Sequence, residues 1–173
     1  ILIFLKIDEK ASLNILSSNI SSFANKNNFN VINLHWINNE MMSLNEIPKF
    51  NGKIFWTLHD VWPIGHFFHY PNKKNNLNNR YFNFLIKNKM KNLNKKPISL
   101  ICPSDWMRKY ALKNNLIKKS KSTIIRNPIN FEFWKPLDIK TENKKIILFG
   151  SVDVFTDKRK GLNLFLSKLD KIS

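Results

Sequence analysis

The sequence predicts an α/β fold built on a parallel sheet, and three observations carry that prediction. Short apolar runs alternate with longer stretches of helical periodicity. The runs are continuous and not alternating, as expected of parallel strands covered on both faces. A polar residue able to contact a ligand follows each run, and open α/β sheets bind their ligands outside the carboxyl ends of the strands.

Five runs read as strands: 30–36 (NVINLHW), Lys53–Thr57 (KIFWT), Ile98–Cys102 (ISLIC), 123–125 and 145–149 (KIILF). Between them lie helices. The segment 80–94, from Arg80 to Asn94, sets Phe82, Leu85, Ile86, Met90 and Leu93 on one face at three- and four-residue spacing, with Lys87 and Lys91 opposite. Ser104 follows Pro103 as an N-cap, and Asp105 in the first turn suits the helix dipole. A last helix opens near Gly161, where Leu162, Phe165, Leu166 and Leu169 form a stripe. The Lys/Asn-rich stretch 72–79 reads as a surface loop. Over 127–144 the pattern breaks into polar residues around Pro128 and Pro136, as an interdomain connection does.

Composition narrows the classes. A chain of 173 residues with 43% hydrophobic and 13% aromatic side chains has the material for a packed core, which excludes disorder for its bulk. The longest apolar run, at residues 1–5, is far below the roughly 20 residues of a transmembrane helix. The single cysteine, Cys102, makes no internal disulfide and fits a reducing, cytoplasmic setting. The net charge of +17 points to nucleic acid, phosphates or an anionic membrane. Lys, Asn and Ile are abundant throughout, as in a chain translated from an AT-rich genome, and the charge is spread rather than blocked. The chain starts at Ile1 without methionine and stops at Ser173 inside a helical pattern, so it reads as a fragment truncated at both ends.

The residues after the strands are the candidate site: His35, then His59 and Asp60, then Ser104, then Arg126 and Asn127, then Gly150 and Ser151. The segment 56–70, WTLHDVWPIGHFFHY, holds three of the four histidines. A zinc site would use His66 and His69 with Asp60, but no cysteine or H-E-x-x-H lies nearby. A Ser-His-Asp hydrolase lacks a G-x-S-x-G elbow, and His59 and Asp60 are adjacent in sequence. The plainer reading is an aromatic loop filled by Trp62, Phe67 and Phe68. Near the C-terminus, Lys158, Arg159 and Lys160 stand just ahead of a helix opening at Gly161, which suits a phosphate. A solvated basic loop is the alternative, and the Walker A pattern is absent.

Five segments, HWI at Trp36, TLHDVWP at Thr57 to Pro63, PSDWM at Pro103 to Met107, RNPIN at Arg126 to Asn130 and LFGSVDVFTDKRKG at Leu148 to Gly161, occur in the order and spacing of bacterial family 4 glycosyltransferases. The chain resembles the GT-B-type members used in cell-surface polysaccharide assembly, from about residue 30 to its end. The resemblance implies Rossmann-like sheets with helices on both faces: residues 1–135 as the later part of an acceptor-side domain, 136–143 as a linker, 144–173 as the start of a nucleotide-sugar-binding domain. It implies sugar transfer with retention from a nucleotide-diphosphate donor to a glycan or lipid-linked acceptor, with no metal and no other cofactor. His59 falls on the family's cleft histidine at the donor sugar. Lys160 falls on the lysine that neutralises the pyrophosphate, with Lys158, Arg159, Gly150, Ser151, Gly161 and Asn127 around the donor. His35, Trp36, Asp60, Trp62, His66, His69 and Ser104 are then the acceptor side. The family's E-x7-E motif would lie beyond Ser173.

Such an enzyme is cytoplasmic or peripheral on the inner membrane face, with the basic amphipathic helix 80–94 as the membrane contact. No nucleic acid partner is expected. The alternative is a non-catalytic basic module binding nucleic acid or a membrane surface, but the chain lacks helix-turn-helix, zinc-finger and RNP signatures.

Overall fold

The computed structural model describes residues 12–65, 67–71, 80–114, 117, 120–136 and 146–169. The chain divides into two compact units, Ile1–Pro128 and Ile129–Ser173. The sequence-expected linker, apart from Pro136, lies outside the described residues, as do the loop 72–79 and His66.

The first unit is an α/β sheet of four parallel strands flanked by helices, a Rossmann-like arrangement. Its elements are α1 (Ile20–Lys26), β1 (Val31–His35), a 3-10 turn (Leu44–Lys49), β2 (Lys53–Thr57), α2 (Arg80–Leu93), β3 (Ile98–Cys102), α3 (Asp105–Lys113) and β4 (Lys121–Ile124). The strands lie in sequence order, β1-β2-β3-β4. Right-handed crossovers between neighbours in that order carry the connections over the same side of the sheet. The register agrees: Ile32, Ile54 and Ile98 are aligned across the strands, as are Leu34, Trp56 and Leu100. With Cys102 they pack against Met42, Ile47, Phe50, Leu58, Trp62, Leu93, Met107 and Ala111 in one core. Cover was expected on both faces. Among the described residues the second face is exposed at Val31, Asn33, His35, Lys53, Lys121 and Thr123, half-buried at Phe55, Ser99 and Ile101, and buried at Thr57.

β2 and β3 have the expected bounds, β1 is shorter by one residue at each end, and β4 lies one to two residues earlier. Helix α2 buries Leu85 and Leu93 and exposes Lys87 and Lys91, as its spacing predicts. It also buries Lys89, which spacing did not reveal. Since the apolar side of α2 is used by the core, Phe84 with Lys87 and Lys91 is what the helix shows to solvent. Ser104 caps α3, its Oγ accepting from the Met107 N–H at 3.2 Å.

In the second unit the described elements are a 3-10 turn (Lys158–Lys160) and α4 (Leu162–Leu169). The strand expected over 145–149 does not form at 146–149. A strand is satisfied by a ladder with a neighbour, and no other strand exists among this unit's described residues. Phe149 instead stacks on Phe165, with ring centroids 4.5 Å apart. Gly161 closes the turn at φ 76°, a conformation that suits glycine.

Candidate functional site

Two exposed histidines meet at the carboxyl edge of the sheet. His35 ends β1, His59 follows β2 by two residues, and His35 Nδ1 lies 2.9 Å from His59 Nε2. Ring centroids 5.2 Å apart fit two rings meeting nitrogen to nitrogen along one line. One ring therefore donates and the other accepts, and a single proton occupies the line between them. That head-on arrangement suits exchange of a proton with a ligand better than chelation, which needs both lone pairs aimed at one point.

Asp60, next in the chain, is turned inward. Its Oδ2 lies 2.7 Å from His69 Nδ1, its Oδ1 accepts from the Trp62 N–H at 3.0 Å, and Asn38 Nδ2 donates to Oδ2 at 3.1 Å. A carboxylate only accepts, so Nδ1 of His69 carries the proton. Nε2 of the same ring lies 3.0 Å from Ser12 Oγ, whose hydroxyl donates to Asn39 Oδ1 at 3.2 Å. Ser12 is held at every polar atom: its N–H donates to Phe67 O at 3.1 Å, its carbonyl accepts from Trp62 Nε1 at 2.8 Å, and its Oγ accepts from the Asn39 N–H at 3.1 Å. Ser12, His69 and Asp60 thus have the spacing of a nucleophile, a base and an orienting acid. Ser12 Oγ is buried and already engaged by Asn39, so the relay ties the loops after β1 and β2 to the segment around residue 12. Ser12 and Asn38 escaped the sequence reading because no local pattern marks them.

The aromatic loop is filled as the plainer reading expected: Trp62, Phe67 and Phe68 are all buried. The zinc reading does not gather its ligands in the described residues. His69 and Asp60 bond to each other, and no group of three His, Cys, Asp or Glu side chains able to hold a metal exists among the described residues. Behind the loop lies Lys89, fully buried, its Nζ 3.9 Å from the centroid of the Trp62 ring and donating to Trp62 O. Burial drives its pKa well below the ordinary lysine value, against the opposing pull of the Asp60 charge. Cys102 is also buried, which pushes its thiol up despite the Arg108 charge and makes it a poor nucleophile.

Other candidates take structural roles or stand at the surface. Ser104 is a helix cap. Arg126 pairs with Asp105 at 3.1 Å in an exposed bridge, worth little to stability. Asn127 is exposed beyond β4. Near Ser104, Trp106 and Tyr110 stack on α3 with centroids 5.4 Å apart.

The donor-side candidates belong to the second unit. Arg159 is folded back onto Asp157, whose carboxylate accepts from the Arg159 backbone N–H at 3.1 Å and from its Nε at 3.0 Å. Burial acts to raise the Asp157 pKa, but these bonds and the Arg159 and Lys160 charges outweigh it and hold the carboxyl below its ordinary value. Lys158 and Lys160 are exposed and make no side-chain hydrogen bond or ion pair among the described residues. Gly150 and Ser151 are exposed as well, and the space around Gly150 is open. Comparison of the chain with protein-family models, curated proteins and solved structures finds no match. Among the described residues no helix is long and apolar enough to cross a membrane.

Proposed function

We propose that the chain is part of a retaining GT-B glycosyltransferase of family 4, moving a sugar from a nucleotide-diphosphate sugar to a glycan or lipid-linked acceptor. The observation that carries this reading is the setting of His59. The histidine of the TLHDVWP segment stands exposed at the carboxyl edge of a parallel sheet, its ring already oriented by a partner, His35. That edge is where α/β sheets bind ligands.

On this reading His59 contacts the donor sugar, and Lys160 neutralises the leaving diphosphate. Cleavage of the anomeric bond builds negative charge on that diphosphate, so a fixed cation lowers the barrier more than it stabilises the ground state. Arg159, folded onto Asp157, is the weaker candidate for that role. No metal or other cofactor is assigned a step, and the reaction is placed in the cytoplasm or at the inner membrane face.

The test is nucleotide-diphosphate release from a panel of nucleotide sugars by the full-length protein that carries this chain. His59→Ala and Lys160→Ala are each expected to lower kcat/KM by about tenfold or more, since a charge-assisted hydrogen bond is worth roughly 1.5 to 3 kcal/mol. Unchanged rates in both variants would overturn the assignment, and no release from any donor would overturn the reaction class.

A further inference from the structure

Trp36 directly follows His35 and is held at φ 41°, in the left-handed region that bulky L-residues avoid. Such a conformation is unfavourable and persists only where the surrounding structure holds it. Burial of the indole does not offset it, because Trp36 is 41% exposed whereas Trp56 and Trp62 in the same unit are completely buried. The strain sets an aromatic ring outward at the carboxyl edge of the sheet.

A second exposed ring, Tyr70, is joined to Trp36 through the buried ring of His69. The His69 ring lies 6.0 Å from Trp36 at 42°, and Tyr70, 40% exposed, lies 6.5 Å from His69 at 46°. His69 cannot turn freely, since Asp60 holds one ring nitrogen and Ser12 the other. A binding surface locked in advance loses little entropy on binding.

The local charge then selects the ligand. In a protein of net charge +17, residues 27–48 and 54–71, the two segments that build this surface, contain no Lys or Arg, whereas Glu40, Glu46 and Asp60 all fall within them. A phosphate-bearing ligand would find no cation on these segments and a carboxylate behind the rings. The surface suits a neutral ligand with one apolar face and one hydroxylated edge. A pyranose ring has both: its C–H face packs on an aromatic ring, and its hydroxyls reach groups that donate and accept, as the His35–His59 pair does.

We propose that Trp36 and Tyr70, braced by His69, form a stacking shelf for an uncharged pyranose of the acceptor glycan. Naming the occupant as the acceptor rests on the glycosyltransferase reading, whereas binding of the sugar does not. The shelf is read by fluorine NMR of the protein labelled with 5-fluorotryptophan, whose five tryptophans report separately. The probes are maltotetraose, cellotetraose, chitotetraose and mannotetraose, with uridine monophosphate and oligothymidylate as the anionic competitors.

At least one tetrasaccharide is expected to move the Trp36 resonance saturably, leaving the buried Trp56 and Trp62 and the second unit's Trp134 in place. Tyr70→Ala is expected to weaken that binding by about tenfold, with unchanged Trp56 and Trp62 resonances as the check on folding. No saturable shift with any sugar, a shift with the nucleotides alone, or full binding by Tyr70→Ala would overturn the shelf. If sugars bind but no donor is turned over, the transferase reading fails and the shelf stands. If transfer occurs while Trp36→Ala leaves the acceptor KM unchanged, the shelf fails and the transferase reading stands.

Discussion

Glu46, buried in the 3-10 turn, is the N-terminal cap of a helix more than twenty residues earlier. Its carboxylate accepts from the backbone N–H groups of Ser18 at 2.7 Å, Asn19 at 3.0 Å and Ser21 at 2.9 Å, and from the Ser17 and Ser18 hydroxyls. Helix α1 has no side-chain cap of its own at Asn19, so these donors would otherwise go unpaired. Burial acts to raise the Glu46 pKa, and the hydrogen bonds overcome it and bring the value from 4.5 to about 2. Because the folded-state value is the lower one, the stabilisation is complete above pH 4.5 and disappears as the pH falls toward about 2. A shift of that size corresponds to about 3 kcal/mol. Thermal melts of Glu46→Gln should therefore show a large loss of Tm near neutral pH that shrinks steadily below about pH 4. A gap independent of pH would refute the carboxylate's role.

At the scale of elements, legibility followed from how local the cause was. Helix α3 was readable from Ser104 and Asp105 because a cap acts within four residues, and the Ser104 Oγ accepts from Met107 N–H as that logic requires. Ser104→Ala is expected to cost about 1 kcal/mol in urea unfolding; a loss within error would mean that water replaces the cap without penalty. Strands β2 and β3 were readable because each is a continuous apolar run. Helix α1 was not, since Ile20, Phe23 and Ala24 mark barely two turns in its seven residues and its cap comes from a residue brought near only by folding. The run at 145–149 shows the converse. Its strand propensity is plain in KIILF, yet without a neighbour to complete a ladder residues 146–149 remain irregular and Leu148 is 92% exposed.

For the molecule as a whole, the two units differ in what they bury. The buried core residues described, from Leu13 to Ile117, all lie in the first unit, and α4 and its preceding turn bury none. A unit whose described residues bury no core has little to offset its conformational entropy. A chain ending at Pro128 is expected to unfold cooperatively in urea, and a peptide of residues 129–173 to give the narrow amide dispersion of an unfolded chain. Dispersed peptide resonances would contradict this account. The α/β class, the segments that form the strands of the first unit and the placement of His35, Trp36, His59 and Asp60 at strand ends were legible in the sequence, because periodicity and strand-end polarity are properties of neighbours along the chain. The contacts that make a site were not. His69 meets Ser12 across 57 positions and Asn38 across 31, and His35 meets His59 across 24. Such pairings depend on the register of parallel strands and the closure of the loops between them, which only the packed sheet brings about.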